Sequence, residues 1–538
     1  MAENVMEDLV KYITEKHGEE TWVPLYKMVR KSDESEDGSY FCALVSKEAT
    51  AKAMERSAWD LMVRGGGPTF IISYEDGEPT STYHEREDDD FRRLIIGRDF
   101  HGRKNDYFEI SEEFRLFHNL YYCKKTSNYI TFDESGDEVE VIKLNEEEIF
   151  VRKRYLKSFM AATQMNLLLF FQVTRHFSKP AGHEEGQESD NLNYTIFSGS
   201  SYTTSYSNSV TLCGKKLINC EAVEECGVAP FEKAKKFESF AIGGDDDNPI
   251  EFSCDPAHLA NYFGANPTAP HHLHAIFFKK EVMQKYYGAS DYEIQDSMLS
   301  RKGAWSLRFD NHHASHISVF LGDFGSDLPY KEQLYWKSFN IVPDGHEISE
   351  TNFQRSFMGA WCDTAAPDLL FKSEFGQLQT AWNEKYGWNL FLPMTPKDEH
   401  YFTSIRSMLT NEQAEFDGQV LSLAKVTIDS ANVKSLLEAT KKADAEGKSI
   451  ILLGEMFALL KLDDVDGRTT FLRGVQSVRS TGVAHRKGTA YEKTITKLNI
   501  DADNYKAEFD IILSGFAKLF ADIRAKLHEP VVEVATCG

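Results

Sequence analysis

Residues 503–527 read DNYKAEFDIILSGFAKLFADIRAKL and carry the strongest periodic signal in the chain. Large apolar side chains recur there at steps of three and four residues, at Tyr505, Phe509, Ile512, Phe516, Leu519, Phe520, Ile523 and Leu527. That spacing places them on one face of an α-helix, which is stable only when the face packs against other elements. Asp503 is the predicted N-cap of this helix. The stretch therefore predicts a long helix in a helical bundle.

Helical spacing continues upstream, so the whole of 401–538 is predicted to be an all-α bundle. The supporting segments are residues 416–427, the apolar run Ile450–Leu462, a helix with Leu472, Val475 and Val478 that Thr470 would cap, and a capping box at Thr489 and Glu492.

The first 400 residues predict mixed α and β structure. Predicted strands are Thr69–Tyr74, Arg92–Ile96, Glu138–Leu144, Ile149–Arg152, parts of Tyr194–Leu217, and a hairpin formed by Ala304–Asp310 and Ser315–Leu321. Predicted helices are Met6–Lys16, a long apolar helix at Tyr155–Phe177, Lys331–Phe339 and Phe371–Tyr386. A linker rich in Pro, Gly and acidic residues is predicted at Lys179–Asp190. The predicted fold class is an α+β multidomain protein, with an α+β domain at 1–180, a β-rich α+β domain at 181–400 and the helical bundle at 401–538.

The composition is that of a soluble globular protein, with 41% hydrophobic and 27% charged residues among 538. The net charge of −24 is uneven, because residues 401–538 carry 18 basic and 19 acidic side chains and the first 400 carry the remaining −23. This balance excludes a protein that coats nucleic acid non-specifically. The longest apolar runs are Met165–Val173 and Ile450–Leu462, each shorter than the roughly 20 residues that cross a bilayer. With an acidic N-terminus and no CxxC pair, we expect a cytoplasmic chain with reduced cysteines and no membrane partner.

The stretch 472–488 reads LRGVQSVRSTGVAHRKG and contains Arg479, the polar Ser480 and then His485. It resembles the R-polar-x(3–5)-H signature of the HEPN superfamily. The resemblance covers about residues 405–530 and depends on context, namely a helical bundle, a motif near the start of its third or fourth helix, and a long amphipathic helix after it.

The resemblance implies a metal-independent endoribonuclease that uses no cofactor. An imidazole with a pKa near 6.5 exchanges protons at neutral pH, and a guanidinium matches phosphate geometry. His485 would therefore be the general base or acid, and Arg479 the clamp on the phosphate and the transition state. Ser480 would support the site, while Arg486 and Lys487 would attract the RNA backbone. The family is often dimeric, with the motifs of two subunits facing one cleft.

The architecture, an acidic front region followed by a HEPN-like end, resembles bacterial antiphage proteins that act by abortive infection. It implies RNA as the substrate, with tRNA among the candidates, a phage-derived or nucleotide trigger sensed by the front region, and a homodimer or larger homo-oligomer. The −23 front region is predicted to restrain the effector by repelling RNA. The alternative is a non-catalytic HEPN-like module for dimerisation or ligand binding on a sensor or scaffold protein.

The spacing within the motif imposes a geometric condition. On a straight helix Arg479 and His485 lie about 120° apart, so they share a site only if the helix is irregular or two subunits contribute. Gly482 lies between them and is a candidate for that irregularity.

Other patterns carry weaker alternatives. Two histidine groups, His271, His272 and His274, and His312, His313 and His316, could bind a metal ion, but loop histidines are the expected reading and no metal site is predicted. Arg64–Pro68 is read as a bend, and the acidic runs Glu87–Asp90 and Asp245–Asp247 as solvated loops. The aromatic segment Tyr335–Asn340 could line a pocket or stack on a base, or belong to the core.

Overall fold

The computed structural model describes residues 5–55, 69–75, 77–84, 90–98, 100–180, 185–287, 289–313, 315–362, 364, 366–441, 448–482 and 489–528. The chain divides into two compact units. Unit 1 comprises Met1–Asp133 and Asp137–Lys235, and unit 2 comprises Glu134–Gly136 and Lys236–Gly538. Unit 1 is rich in strands and unit 2 ends in a helical region, which confirms the predicted α+β multidomain class.

Unit 1 is built on one large sheet, in which all the described strand pairs are antiparallel. Its helices are α1 (Glu7–Glu15), α2 (Thr50–Met54), α3 (Glu112–Phe117) and α4 (Lys153–Thr163). Its strands are β1 (Trp22–Arg30), β2 (Glu36–Ser46), β3 (Thr69–Glu75), β4 (Glu78–His84), β5 (Phe91–Arg92), β6 (Ile95–Arg98), β7 (Tyr107–Ile110), β8 (Tyr121–Cys123), β9 (Asn128–Phe132), β10 (Glu138–Leu144), β11 (Glu148–Arg152), β12 (Met165–Phe177), β13 (Glu185–Glu188), β14 (Leu192–Ser200) and β15 (Asn208–Ile218). The strand order is β13-β14-β15-β12-β2-β1-β11-β10-β9-β8, with β5 paired to β2.

The central strand β12 shows how helices cover both faces of this sheet. Leu167 and Leu169 join a core cluster that includes Phe159 of α4, whereas Leu168 and Phe170 pack with Met54 of α2. Successive side chains of a strand point to opposite faces, so α4 and α2 lie on opposite sides of the sheet.

The prediction of one long helix at Tyr155–Phe177 is wrong. Helix α4 ends at Thr163, Gln164 has a left-handed backbone with φ of 53°, and the chain continues as β12. A strand buried on both faces has a nearly continuous apolar sequence, and periodicity alone does not distinguish such a run from a buried helix.

The segment predicted as a linker is partly a strand. Residues 185–188 of Lys179–Asp190 form β13, which pairs with β14 at the edge of the sheet. The predicted boundary at 180/181 therefore lies between strands of a single sheet. Two other predictions for this region are confirmed, since the predicted helix Met6–Lys16 contains α1 and the predicted strand Glu138–Leu144 is β10.

Unit 2 begins with small sheets and ends in helices. Its strands are β16 (Ser239–Gly244), β17 (Pro249–Ser253), β18 (Ala275–Lys279), β19 (Tyr292–Gln295), β20 (Met298–Arg301), β21 (Trp305–Arg308), β22 (His316–Phe320) and β23 (Asn340–Ile341). Its helices are α5 (Leu321–Asp327), α6 (Tyr330–Lys337), α7 (Glu350–Ser356), α8 (Pro367–Tyr386), α9 (Glu399–Ser404), α10 (Gln413–Val426), α11 (Val433–Thr440), α12 (Ser449–Leu459), α13 (Val465–Gly482), α14 (Thr489–Leu498) and α15 (Tyr505–His528).

The hairpin predicted from Ala304–Asp310 and Ser315–Leu321 does not form. Strand β21 pairs with β20, and β22 pairs with β18, so the two runs belong to different sheets. An isolated bridge between Asp310 and Ser318 is the contact that links them. Alternation identified both strands correctly but carries no information about the partner of each.

The helical part of unit 2 is held by the apolar stripe of α15. All eight predicted stripe residues are buried, from Tyr505 to Leu527. They share one core with Phe371, Leu378 and Trp382 of α8, so the bundle begins at Pro367, upstream of the predicted boundary at 401. No helix among the described residues is long and apolar enough to cross a bilayer.

Two predicted helix caps are wrong. The Ala507 N–H donates to Asn504 Oδ1 at 3.4 Å, so Asn504 caps α15 and Asp503 does not. Helix α13 begins at Val465, which places Thr470 inside it. Both errors are shifts of a boundary, because several polar residues near a helix start are able to act as the cap.

The α15 core generates a stability prediction. Phe509→Ala is expected to lower the free energy of unfolding of the full chain by about 3–5 kcal/mol, because the ring is fully buried and its loss leaves a cavity. Ile511→Ala is the matched control, since Ile511 is 64% exposed on the same helix and should change that free energy by less than about 0.5 kcal/mol. Urea denaturation followed by circular dichroism measures both. Similar losses in the two variants would contradict this assignment of the buried face.

Candidate functional site

Arg479 occupies the last turn of α13. This helix packs against α10, α12 and α14, and it buries Leu472, Val475 and Val478 on the faces turned to them. Arg479 follows directly after Val478, and its side chain remains 26% exposed. The bundle core therefore sets the orientation of α13 and leaves the guanidinium at the surface.

Asp429 holds this guanidinium in place. Nη2 of Arg479 donates to Oδ2 of Asp429 at 2.8 Å, and the ammonium of Lys425 lies 3.6 Å from the same oxygen. Within the described part of the chain, the other N–H donors of Arg479 make no hydrogen bond. A guanidinium with five donors, one of them used, is oriented and still able to bind a phosphate.

Gly482 ends α13 at a point of close approach. A Cβ atom on this residue would lie 3.0 Å from Oδ1 of Asp417 on α10 and 3.0 Å from Cε2 of Tyr491 on α14. The absence of a side chain therefore lets three helices meet beside the motif. Burial raises the pKa of the Tyr491 phenol.

Of the remaining motif residues, the structure describes one and leaves three outside the described range. Ser480 is described, and its hydroxyl donates to the Ser477 carbonyl of its own helix at 3.1 Å. His485, Arg486 and Lys487 lie outside the described residues. The motif stands at the end of α13, not near the start of a helix as predicted, and the described helix stops three residues before His485.

The two histidine groups make separate structural contacts. His272 Nε2 lies 3.0 Å from Oδ1 of Asp323, and His316 Nε2 lies 2.8 Å from the carbonyl of Glu347. His312 lies 2.7 Å from Asp296, which also binds Arg355. Across the described residues, no three His, Cys, Asp or Glu side chains are grouped as metal ligands would be.

The contacts of Asp296 change the pKa of its carboxyl group. Burial alone would raise the pKa of its carboxyl, but hydrogen bonds from His312 and Arg355 outweigh burial and hold that pKa well below its usual range. The group therefore acts as a fixed structural anion.

The structure describes some of the other candidates, namely the aromatic segment and part of the acidic runs. Trp336 of the aromatic segment is fully buried, and its indole N–H donates to the Tyr286 hydroxyl at 2.7 Å, so this residue belongs to the core. Asp245 lies in the turn between β16 and β17 and caps the Asn248 N–H at 2.8 Å, as a solvated loop residue does. Arg64–Pro68 and Glu87–Asp89 lie outside the described residues.

A charged cluster in unit 2 has no counterpart in the sequence analysis. Burial lowers the pKa of Lys280 and of Lys372, both near Asp368, and burial raises the pKa of Asp510. The Asp510 carboxylate accepts from Ser407 Oγ at 2.6 Å. These residues come from positions far apart in the chain, so no local motif could reveal them.

Comparisons with known proteins add no assignment. No family model, no curated protein and no solved structure matches the chain.

The Arg479–Asp429 pair generates a second stability prediction. Because both side chains are partly exposed, Asp429→Ala is expected to cost at most about 1 kcal/mol in the free energy of unfolding. Glu415→Ala is the contrast, since this carboxylate pairs with Arg406 and accepts from the N–H groups of Leu409 and Thr410. Its loss should cost about 3 kcal/mol. Urea denaturation compares the two, and a larger loss for Asp429→Ala would show that the pair is part of the core.

Proposed function

We propose that this protein is a metal-independent endoribonuclease whose HEPN-like helical region cleaves RNA through Arg479 and His485. The observation that carries the proposal is the state of Arg479. This residue lies at the surface of a helical bundle, at the end of a helix. One hydrogen bond orients its guanidinium, and its other N–H donors are unused within the described chain.

The chemistry requires two groups of this kind. Cleavage without a metal ion needs a base for the 2′-hydroxyl and a cation for the charge that develops on the phosphorus oxygens. His485 would move the proton, and Arg479 would bind the phosphate. Ser480 would support the site from the last turn of α13, and Arg486 and Lys487 would add attraction for the RNA backbone.

The biological setting follows from the same resemblance. The protein would act in bacterial antiphage defence by abortive infection, in the cytoplasm, on RNA substrates that include tRNA. It would work as a homodimer or larger homo-oligomer, and the N-terminal region would sense a phage-derived or nucleotide trigger. The net charge of −23 on the first 400 residues supports restraint of an RNA-cutting end, because it repels a polyanion.

The contact with Asp429 also favours a second function. An arginine neutralised by a carboxylate and placed beside Lys425 is what a purely structural ion pair looks like. In that case the helical region would be a non-catalytic module that dimerises or binds a ligand on a sensor or scaffold protein. The two functions differ in whether the arginine geometry matters to activity or only to folding.

An RNA-cleavage assay with purified full-length protein in EDTA tests the proposal. His485→Ala is expected to lower the cleavage rate by a factor of about 100 or more, the range for loss of a general acid or base. Arg479→Lys keeps the charge and can still pair with Asp429 but loses the planar fork, so it should cleave much more slowly than wild type.

Arg473→Ala is the matched control for these variants. Arg473 lies on the same helix, is exposed, and makes no ion pair within the described chain, so its loss should leave cleavage unchanged. Growth of cells that express each variant gives a parallel readout, in which the toxicity of wild type and Arg473→Ala should exceed that of His485→Ala. Equal toxicity and equal cleavage in wild type and His485→Ala would exclude His485 as the catalytic group.

A further inference from the structure

Charged and polar side chains from three separate segments of unit 2 come together in one place. Lys280 begins a short 3₁₀ helix after β18, and Tyr287 follows that helix. Asp368 and Lys372 lie four residues apart on α8, so they share one face of it. Asp510 lies on α15, which packs against α8. These five residues form what we call the mixed-charge cluster.

The members of the mixed-charge cluster interact around the carboxylate of Asp368. Burial lowers the pKa of Lys280 and of Lys372, and Asp368 is the charge that most strongly opposes this effect at both lysines. Burial raises the pKa of the Tyr287 phenol, and the same carboxylate adds to that shift. Two ammonium groups and a phenol therefore surround one carboxylate.

These opposite charges do not close into ion pairs. Neither Lys280 nor Lys372 forms an ion pair with any residue that the structure describes, and Lys372 makes one long hydrogen bond, of 3.5 Å, to the carbonyl of Thr403. Within the same described residues, the side chains of Asp368 and Tyr287 make no hydrogen bond. Because a charge withdrawn from water is stable only with a partner, this arrangement favours a ligand that supplies one.

The surroundings of the mixed-charge cluster are held in place by contacts of their own. Arg406 pairs with Glu415, and its guanidinium lies 4.7 Å from the centre of the Tyr287 ring. The Asp510 carboxylate accepts from Ser407 Oγ at 2.6 Å. These contacts fix the ring and one carboxylate before a ligand binds, which reduces the entropy that binding costs.

The unpaired groups are also accessible from the surface. All five residues of the mixed-charge cluster are half-buried. The ammonium of Lys280, the carboxylate of Asp368 and the hydroxyl of Tyr287 are not among the polar atoms that are sealed from solvent without a partner. Accessible groups with perturbed pKa values, brought together from distant parts of a chain, are typical of functional sites.

The presence of both signs of charge decides the class of ligand. An anion placed at the two lysines would also face Asp368 and Asp510, and a cation placed at Asp368 would face both ammonium groups. A molecule that carries one group of each sign avoids this conflict, because each of its charges is able to lie beside the opposite one. The raised pKa of Tyr287 keeps its hydroxyl protonated at pH 7, so this group is able to donate to the ligand's anion.

We propose that the mixed-charge cluster binds a free α-amino acid as its zwitterion. The carboxylate of the amino acid would lie at the ammonium groups of Lys280 and Lys372 and accept from the hydroxyl of Tyr287. Its ammonium group would donate to Asp368. The site shares no residue with the motif around Arg479, so the proposal does not depend on RNA cleavage.

Isothermal titration of the full-length protein with each of the standard amino acids tests the proposal. At least one amino acid is expected to bind, at one site per chain. Its N-acetyl derivative lacks the ammonium group and its amide lacks the carboxylate, so each should bind more weakly by a factor of about ten or more. Failure of every amino acid to bind would overturn the proposal. So would equal affinity for either derivative, because one charge would then be sufficient.

Two variants with matched controls test the residues. Asp368→Asn and Lys280→Met should each weaken binding of that amino acid by a factor of about ten or more, through loss of a charged partner. Asp344→Asn and Lys279→Met make the same changes in net charge at exposed positions of unit 2 and should leave binding unaltered. Equal loss in a variant and its control would overturn the proposal, because it would indicate attraction by overall charge. Circular dichroism shows whether each variant folds, and the two derivatives test the wild-type protein in any case.

Discussion

Burial of the apolar stripe on α15 is the constraint on which the helical part of unit 2 depends. Its phenylalanines pack on α8, with the ring of Phe371 5.7 Å from that of Phe520 and 6.2 Å from that of Phe516. Because α8 begins at Pro367, a fragment that starts at residue 401 would leave part of this face in water. The helical region is therefore a physical unit only when α8 belongs to it.

The same core determines where Arg479 lies. Once Leu472, Val475 and Val478 face inward, the last turn of α13 has to place Arg479 at the rim. There the ion pair with Asp429 contributes little to stability, because both groups are partly exposed and solvent screens them. Its main effect is orientation. A guanidinium with fixed direction and unused donors loses less entropy on binding a phosphate than a free surface arginine does.

Particular residues show what the sequence could predict. The stripe from Tyr505 to Leu527 was predictable because one face of the helix is buried and the other is exposed to water. Apolar residues therefore recur in the sequence with the period of an α-helix. Strand β12 was not, because both its faces are buried and the period disappears. The motif singles out Arg479 in the sequence, whereas its partner Asp429 lies 50 residues earlier in the chain, after the end of α10.

The charge of this protein acts on RNA over two length scales. A long RNA contacts a wide surface and responds to the summed charge, which is −23 over the first 400 residues. At physiological ionic strength charges are screened beyond about 8 Å, so a phosphate group beside Arg479 would interact mainly with the charges close to that side chain, namely Asp429 and Lys425. An acidic front region is therefore able to repel RNA at long range, while attraction at Arg479 depends on its immediate neighbours.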